Sequence, residues 1–398
     1  MDNHTPNNSP QLCDNCTGCG SCTAVCARNA IHISTDQNGF YMPFVDPEKC
    51  VNCGLCTKFC LLPQNKNGVL KAYGLRHKDP SVLKTSMSGG FFYTISEYVL
   101  NVKKGVVYGS AIKDNFEVGH IRVAEIENLH KLQGSKYTQS LIDKTTYQQA
   151  LDDIVKGTWV VFSGTACQID KFKTLLDMKR IDQSKVILVD IVCHGVPSSS
   201  LWNDYKAYLN KSLKGLEIID FKFRDKIFGW SKFWESYTVR IPWLGKKYGV
   251  TFKLYSVLHA KLYGSSLFTR ESCFHCKYAN VNRASDFTMG DYWRWKESIP
   301  GFCNDDDRGI SLVLLHSEKS LALFEQIKDK LTYIDCTDLD YLQMNLRKPT
   351  EKPKNYEQAQ QDYRTLGFDK FTEKYGFNTK SRRIKRLLRN VLLKIQGL

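Results

Sequence analysis

No stretch of this 398-residue chain approaches 18 uninterrupted apolar residues, so no membrane-spanning helix is expected. The first ten residues are polar and hold no apolar leader core, so the expected location is the cytoplasm. Neither G-x-G-x-x-G nor G-x4-G-K-[ST] occurs, which removes the Rossmann fingerprint and the P-loop as nucleotide cradles. Acidic side chains are missing from residues 380–398, which carry seven Lys/Arg. That segment supplies seven of the fifteen net positive charges and leaves the remainder only mildly basic. A nucleic-acid partner is therefore not expected.

Cysteine is plentiful instead. Fifteen cysteines in a chain read as cytoplasmic point to metal ligation, because disulfides rarely persist there. Cys16-x2-Cys19-x2-Cys22-x3-Cys26 recurs 34 residues on as Cys50-x2-Cys53-x2-Cys56-x3-Cys60. A cubane takes three thiolates from one tight loop, and the fourth cysteine of each run serves the other cluster. This exchange assigns Cys16, Cys19, Cys22 and Cys60 to one [4Fe–4S] cluster and Cys50, Cys53, Cys56 and Cys26 to the other. Structural zinc would explain neither the third cysteine of each loop nor the x3 step. Cys13 lies a further x2 upstream, so the register is not forced; Cys16 is chosen because it matches the second run. Ile31 to Ser34 and Phe40 to Val45 flank a polar turn at Asp36 to Gly39 and predict a hairpin, with His32 a strand residue.

Beyond a linker near residues 63–68 the pattern changes. Ser88-Gly89-Gly90 precedes an amphipathic stretch with Phe91, Phe92, Ile95, Tyr98 and Val99 on one face. Strands are expected at Val106 to Tyr108, Ile121 to Val123, Trp159 to Phe162 and Val186 to Val192, with Ser198 to Ser200 capping a helix. Strand, glycine-containing loop and helix in alternation describe a parallel α/β sheet, whose ligands sit at the carboxyl ends of strands. Two of those loops hold Cys167 and Cys193, and Cys273-x2-Cys276 follows. From spacing alone, a shared metal site and four small buried hydrophobes are equally open readings. Cys303 and Cys336 have no partner motif and are expected to be plain thiols. His194 and His275 adjoin these cysteines and suit tuning or packing, and Asp291 and Trp293 suit the shaping of a pocket or a buried cap. No general acid or base is assigned.

Met87-Ser88-Gly89-Gly90, Gly134-Ser135-Lys136-Tyr137, Gly164-Thr165-Ala166-Cys167-Gln168-Ile169, Cys193-His194-Gly195-Val196-Pro197-Ser198, and Cys273-x2-Cys276 followed by Ala284 to Trp293 come in that order. Together they resemble the beta subunits of coenzyme F-420-reducing hydrogenases and dehydrogenases, over roughly residues 85–295. The resemblance implies an FAD-binding α/β domain with no Rossmann fingerprint and a third [4Fe–4S] cluster on Cys167, Cys193, Cys273 and Cys276. It implies cofactor contacts at Ser88, Gly89, Gly90, Ser135, Lys136 and Tyr137, where a lysine suits the negative charge of a flavin phosphate or reduced ring. The competing readings are a solvated lysine and an ordinary helix-entry turn.

The expected organisation is a disordered 1–12, a small ferredoxin-like α+β domain at 13–65, and a flavin and cluster domain at 70–345. That domain divides into parts of about 70–155 and 156–345, and a charged tail follows at 346–398. The expected activity is an oxidoreductase passing electrons between a one-electron donor such as ferredoxin and an unknown two-electron acceptor. Bacterial polysaccharide synthesis is one setting that the resemblance suggests, and a non-catalytic electron-transfer subunit is the alternative. In residues 381–398, Ile384, Leu387, Leu388, Val391, Leu392 and Ile395 fall at helical spacing among Arg382, Arg383, Lys385, Arg386, Arg389 and Lys394. Such a basic amphipathic helix suits peripheral contact with an anionic membrane, and equally a terminal helix packed on its own domain.

Overall fold

The structure, a computed structural model, describes residues 15–62, 66–241, 250–337 and 341–396. The stretch read as disordered, Cys13 and the start of the linker at Pro63 lie outside the described residues. After the first cysteine loop comes the short helix Ser21–Val25, then the hairpin β1 (Ile31–Thr35) and β2 (Tyr41–Val45), paired from Ile31↔Val45 to Thr35↔Tyr41. Asp36 closes the turn by accepting from the amides of Asn38 and Phe40, both at 2.9 Å. The second loop leads into the helix Leu55–Leu61.

The larger body is built on β3 (Lys71–His77), β4 (Val106–Ile112), β5 (Val118–Val123), β6 (Val160–Thr165) and β7 (Val186–Ile191). Next come β8 (Glu217–Asp225), β9 (Trp234–Arg240) and β10 (Thr251–Ser256), which form a separate three-stranded antiparallel sheet. The last strands are β11 (Phe287–Asp291), β12 (Ser311–Leu315) and β13 (Leu331–Asp335). The main sheet has eight strands in the order β13-β3-β12-β11-β7-β6-β4-β5. Its centre, β4-β6-β7-β11, is parallel. The flanks are antiparallel, a departure from the wholly parallel sheet that alternating strands and helices predict. The flanking pairings join segments up to some 240 residues apart, beyond any local pattern.

Both faces of the parallel centre are covered, so its strands are apolar at every position. Val107, Val161, Ile187 and Val189 pack on one face with Phe91, Ile95, Val99 and Phe324. Val106, Tyr108, Val160, Phe162, Val186 and Leu188 point the other way, onto the helices Lys144–Val155 and Ala166–Met178. Each such side chain contributes about 1.5–3 kcal/mol on burial. Val25 and Phe59, from the cysteine-rich segment, join this second layer, so the small domain seats on the body through apolar contact.

A third core joins the helix Ser199–Leu213, the small sheet and the helix Tyr356–Lys374, which is broken at Gly367. Ala359, Phe368 and Phe371 are buried there. Residues 346–374 are therefore part of the body rather than a charged tail, because their aromatic side chains complete its core. Among the described residues, no helix is long and apolar enough to cross a membrane.

Candidate functional site

The first cysteine loop is wedged into the body. Gly18 and Gly20 both have positive φ, and a Cβ on either would come within 2.4 Å of a carbonyl, Tyr41 O or Ile142 O. Only glycine fits such an approach. Gln139 donates to Gly18 O at 3.1 Å, and Arg270 donates to Gln139 at 2.6 Å and to Tyr41 O at 3.0 Å. Tyr147 donates to Cys19 O and Ser272 to Cys16 O. The second loop is open: a Cβ at Gly54 would meet nothing, Cys53 is exposed, and Val51 and Leu55 stand out from the surface.

Burial pushes the Cys22 thiol up, and the charges of Cys19, Cys16, Cys60 and Cys56 push it further. Burial, then Cys16 and Cys60, raise Cys19. Cys60 thus stands within electrostatic reach of the first loop, and Cys56 ties the second loop to it. Among the described residues no three His, Cys, Asp or Glu are gathered closely enough for a single metal ion. Thiols spread yet mutually felt suit a multi-iron cluster, whose positive iron offsets the crowded thiolates.

Cys167 opens the helix Ala166–Met178, whose first turn is tied by Gln168 Oε1, accepting from Thr165 N at 2.9 Å and Thr165 Oγ1 at 3.1 Å. Cys193 follows β7. Its loop lies against the Cys273 segment: Arg270 N donates to Val196 O at 2.9 Å, and a Cβ on Gly195 would be 2.7 Å from Thr269 and 3.5 Å from Cys273 Cβ. Burial pushes Cys193 up to about 12, helped by Cys273 and Cys276. Burial likewise pushes Cys273 up to about 11, and Cys276 adds to it. Cys167 is held well above the usual thiol range by burial, with Cys193, Cys19 and Cys276 contributing. Four cysteines from three segments therefore converge, and their neighbour across the domain contact is Cys19.

Cys167 and Cys193 also line a cavity of about 920 Å³ at the carboxyl ends of β6, β7 and β11. Ser88, Gly90, Ser135, Lys136 and Tyr137 line it too. Gly89 does not. Its amide donates to Ser311 Oγ at 2.9 Å and its carbonyl accepts from His77 N at 2.7 Å, so it faces the sheet. The Lys136 ammonium donates to Gln133 O at 2.8 Å and Lys131 O at 3.2 Å and has no carboxylate partner among the described residues. Burial holds it down to about 7. Tyr137 stacks on Tyr263 at 4.6 Å.

Several cavity residues carry no sequence signal. Ser110 Oγ, Thr138 Oγ1 and Gln343 Oε1 are buried there without a hydrogen-bond partner. His120 is held at both nitrogens, by Ser140 Oγ and Ser163 O at 2.8 Å each, and burial pushes it down to about 4, so it stays neutral. At another side of the cavity Arg224 is paired with Asp291, which also accepts from Trp230 Nε1 at 3.0 Å. The Arg224 guanidinium lies over Phe233 and Trp293. Asp291 is thereby committed to an ion pair. His194 is lowered chiefly by burial.

Comparison with known proteins places two matches on this framework. Residues 157–340 match the family described as the C terminus of the coenzyme F420 hydrogenase/dehydrogenase beta subunit, and residues 15–62 match the 4Fe-4S dicluster domain. Over 64 residues the chain is 39% identical to the B subunit of the Na(+)-translocating ferredoxin:NAD(+) oxidoreductase complex of Acetobacterium woodii. That match covers 15% of this chain and spans 18% of the curated protein. A chain in the structure of the F420-reducing [NiFe] hydrogenase complex from Methanosarcina barkeri is 15% identical, with a TM-score of 0.43 over 78% of this chain and 97% of that one.

Proposed function

From a chain whose residues 157–340 belong to the coenzyme F420 hydrogenase/dehydrogenase beta subunit family, behind a 4Fe-4S dicluster domain, we infer an oxidoreductase that takes single electrons from a protein donor such as a ferredoxin and delivers them in pairs to a small-molecule acceptor. One observation carries this reading: Cys167 shares the cavity with Ser88, Lys136 and Tyr137 and is also felt by Cys19 across the domain contact. The thiols thus run from an exposed loop, through a wedged loop, to the wall of a ligand-sized hollow.

In this reading Cys16, Cys19, Cys22 and Cys60 hold one cluster and Cys50, Cys53, Cys56 and Cys26 the second. Cys167, Cys193, Cys273 and Cys276 hold a third, and the cavity holds FAD. When bound, the clusters supply one-electron exchange and the flavin supplies its conversion to two-electron chemistry. Lys136 offers an unpaired cation to an anionic part of the ligand. Ser110, Thr138 and Gln343 offer polar atoms that burial otherwise leaves unsatisfied. The cavity volume falls in the usual range of about 300–1,000 Å³ for small-molecule and cofactor sites. A purely electron-transferring subunit would leave this hollow and its lysine without an occupant.

The test is the composition and turnover of anaerobically purified chain. About twelve iron and twelve sulfide, from three cubanes, are expected with one FAD released on heating. Iron at about eight would remove the third cluster, and absence of released flavin would remove the cavity's assignment.

A further inference from the structure

The helix Lys380–Ile395 is docked the wrong way round for a soluble protein. A surface helix ordinarily buries its apolar stripe and exposes its polar face. Here Asn390 and Leu393 are the buried residues, and Ile384, Leu387, Leu388, Val391, Leu392 and Ile395 face out, from 49% exposed at Val391 to 75% at Ile395. The orientation is held by specific bonds. Asn390 accepts from Tyr255 N at 2.7 Å and donates to Tyr255 O at 3.0 Å, so it adds to the edge of β10. Arg386 donates to Tyr208 OH at 2.6 Å, and the Arg389 and Lys394 cations lie over Trp234 and Phe252. Rotating the helix to bury its apolar stripe would break all of these.

At 100° per residue the six apolar side chains form one continuous stripe, with Arg383 and Lys394 along one border and Lys385 and Arg389 along the other. No Asp or Glu follows Glu373 in the sequence. We propose that this face lies in the surface of an anionic lipid bilayer, the stripe among the upper acyl chains and the flanking cations among the headgroups. The charge pattern selects that occupant. Pairing with a second copy would set two cationic borders against each other with no carboxylate on either helix to offset them. The helix also rims the cavity: Trp234, beneath Arg389, lines it, as does Lys261, which feels the charges of Arg382 and Arg389. Docking would bring that side of the cavity to the membrane, whichever redox acceptor the cavity serves.

The experiment is flotation of the full-length, iron-loaded chain with phosphatidylcholine vesicles and with vesicles containing a third phosphatidylglycerol, at low and high salt. Binding is expected to favour the anionic vesicles by at least about tenfold and to fall with salt, each headgroup-level cation contributing about fivefold. L388E/I395E keeps Asn390 and Leu393 in place; it should retain its iron and lose binding by at least about tenfold. Equal flotation of L388E/I395E and the unaltered chain would overturn the proposal, as would no flotation of the unaltered chain at low salt. A dimer seen in sedimentation and dissolved by the same substitutions, without vesicle binding, would give the stripe to a second copy instead.

Discussion

Lys136 is the side chain whose environment says most about the occupant of the cavity. It is buried, is held only by two backbone carbonyls, and is pushed down to about 7. Because burial disfavours the ammonium, an anionic ligand binds more tightly to the protonated form and restores its charge. Flavin affinity should therefore be highest below about pH 7 and weaken as pH rises through that value. Lys136→Met should cost about tenfold or more in flavin affinity and flatten the profile, with iron content unchanged; fluorescence titration of deflavinated chain between pH 6 and 9 reads both, within about the worth of one charged hydrogen bond. Gly89 predicts the opposite kind of result, although both residues stand in motifs of one resemblance. A Cβ there would lie 2.1 Å from Leu75 O and 2.5 Å from Ser311 N, both backbone atoms that cannot swing away. Gly89→Ala should cost about 3 kcal/mol or more of stability, seen as a lower denaturation midpoint, rather than a selective loss of flavin.

At the level of elements, the third cysteine set depends on loops leaving β7 and entering β11, pinned by Arg270 N to Val196 O and by Gly195 against Thr269. The first loop has its own supports, Tyr147, Gln139 and Ser272. The two sites should therefore fail separately. Cys276→Ser should remove about four iron and leave the spectrum of the two N-terminal clusters in place, measured by iron assay and low-temperature EPR after reduction. If all iron left together, the sites would be one cooperative unit, and the separate supports would count for nothing. The hairpin β1–β2 was legible from its Asp36 to Gly39 turn, and the parallel strands from their apolar runs ending in glycine loops. The antiparallel flanks were not, because a strand's partner depends on contacts far along the chain.

At the scale of the whole molecule, the open second loop is the place where a donor protein can approach. Val51 is 60% exposed and Leu55 40%, beside an exposed Cys53, whereas Cys167 and Cys193 face the interior cavity. V51E/L55E should slow reduction by a ferredoxin-type donor about tenfold or more, in line with loss of two apolar contacts, and leave reduction by dithionite unchanged. Stopped-flow absorbance with each reductant distinguishes the two; equal slowing by both would mean damage to the cluster rather than to docking.

What the sequence by itself determined is the chemistry carried by short-range spacing. Thiolates wrapped on one cubane must come from one tight loop, so C-x2-C-x2-C-x3-C is readable residue by residue, and an apolar run long enough to be a buried strand reads the same way. The amphipathic stripe of residues 381–395 was equally plain. Only the tertiary structure decided which way that stripe faces, because the Asn390 to Tyr255 bonds outweigh apolar burial there. It also decided that Cys19 lies beside Cys167, that Gly89 turns into the sheet, and that Ser110, Thr138 and Gln343 meet in one cavity. Those relations join segments with no common periodicity, and they exist only once burial of the two faces of the main sheet has set the strand order.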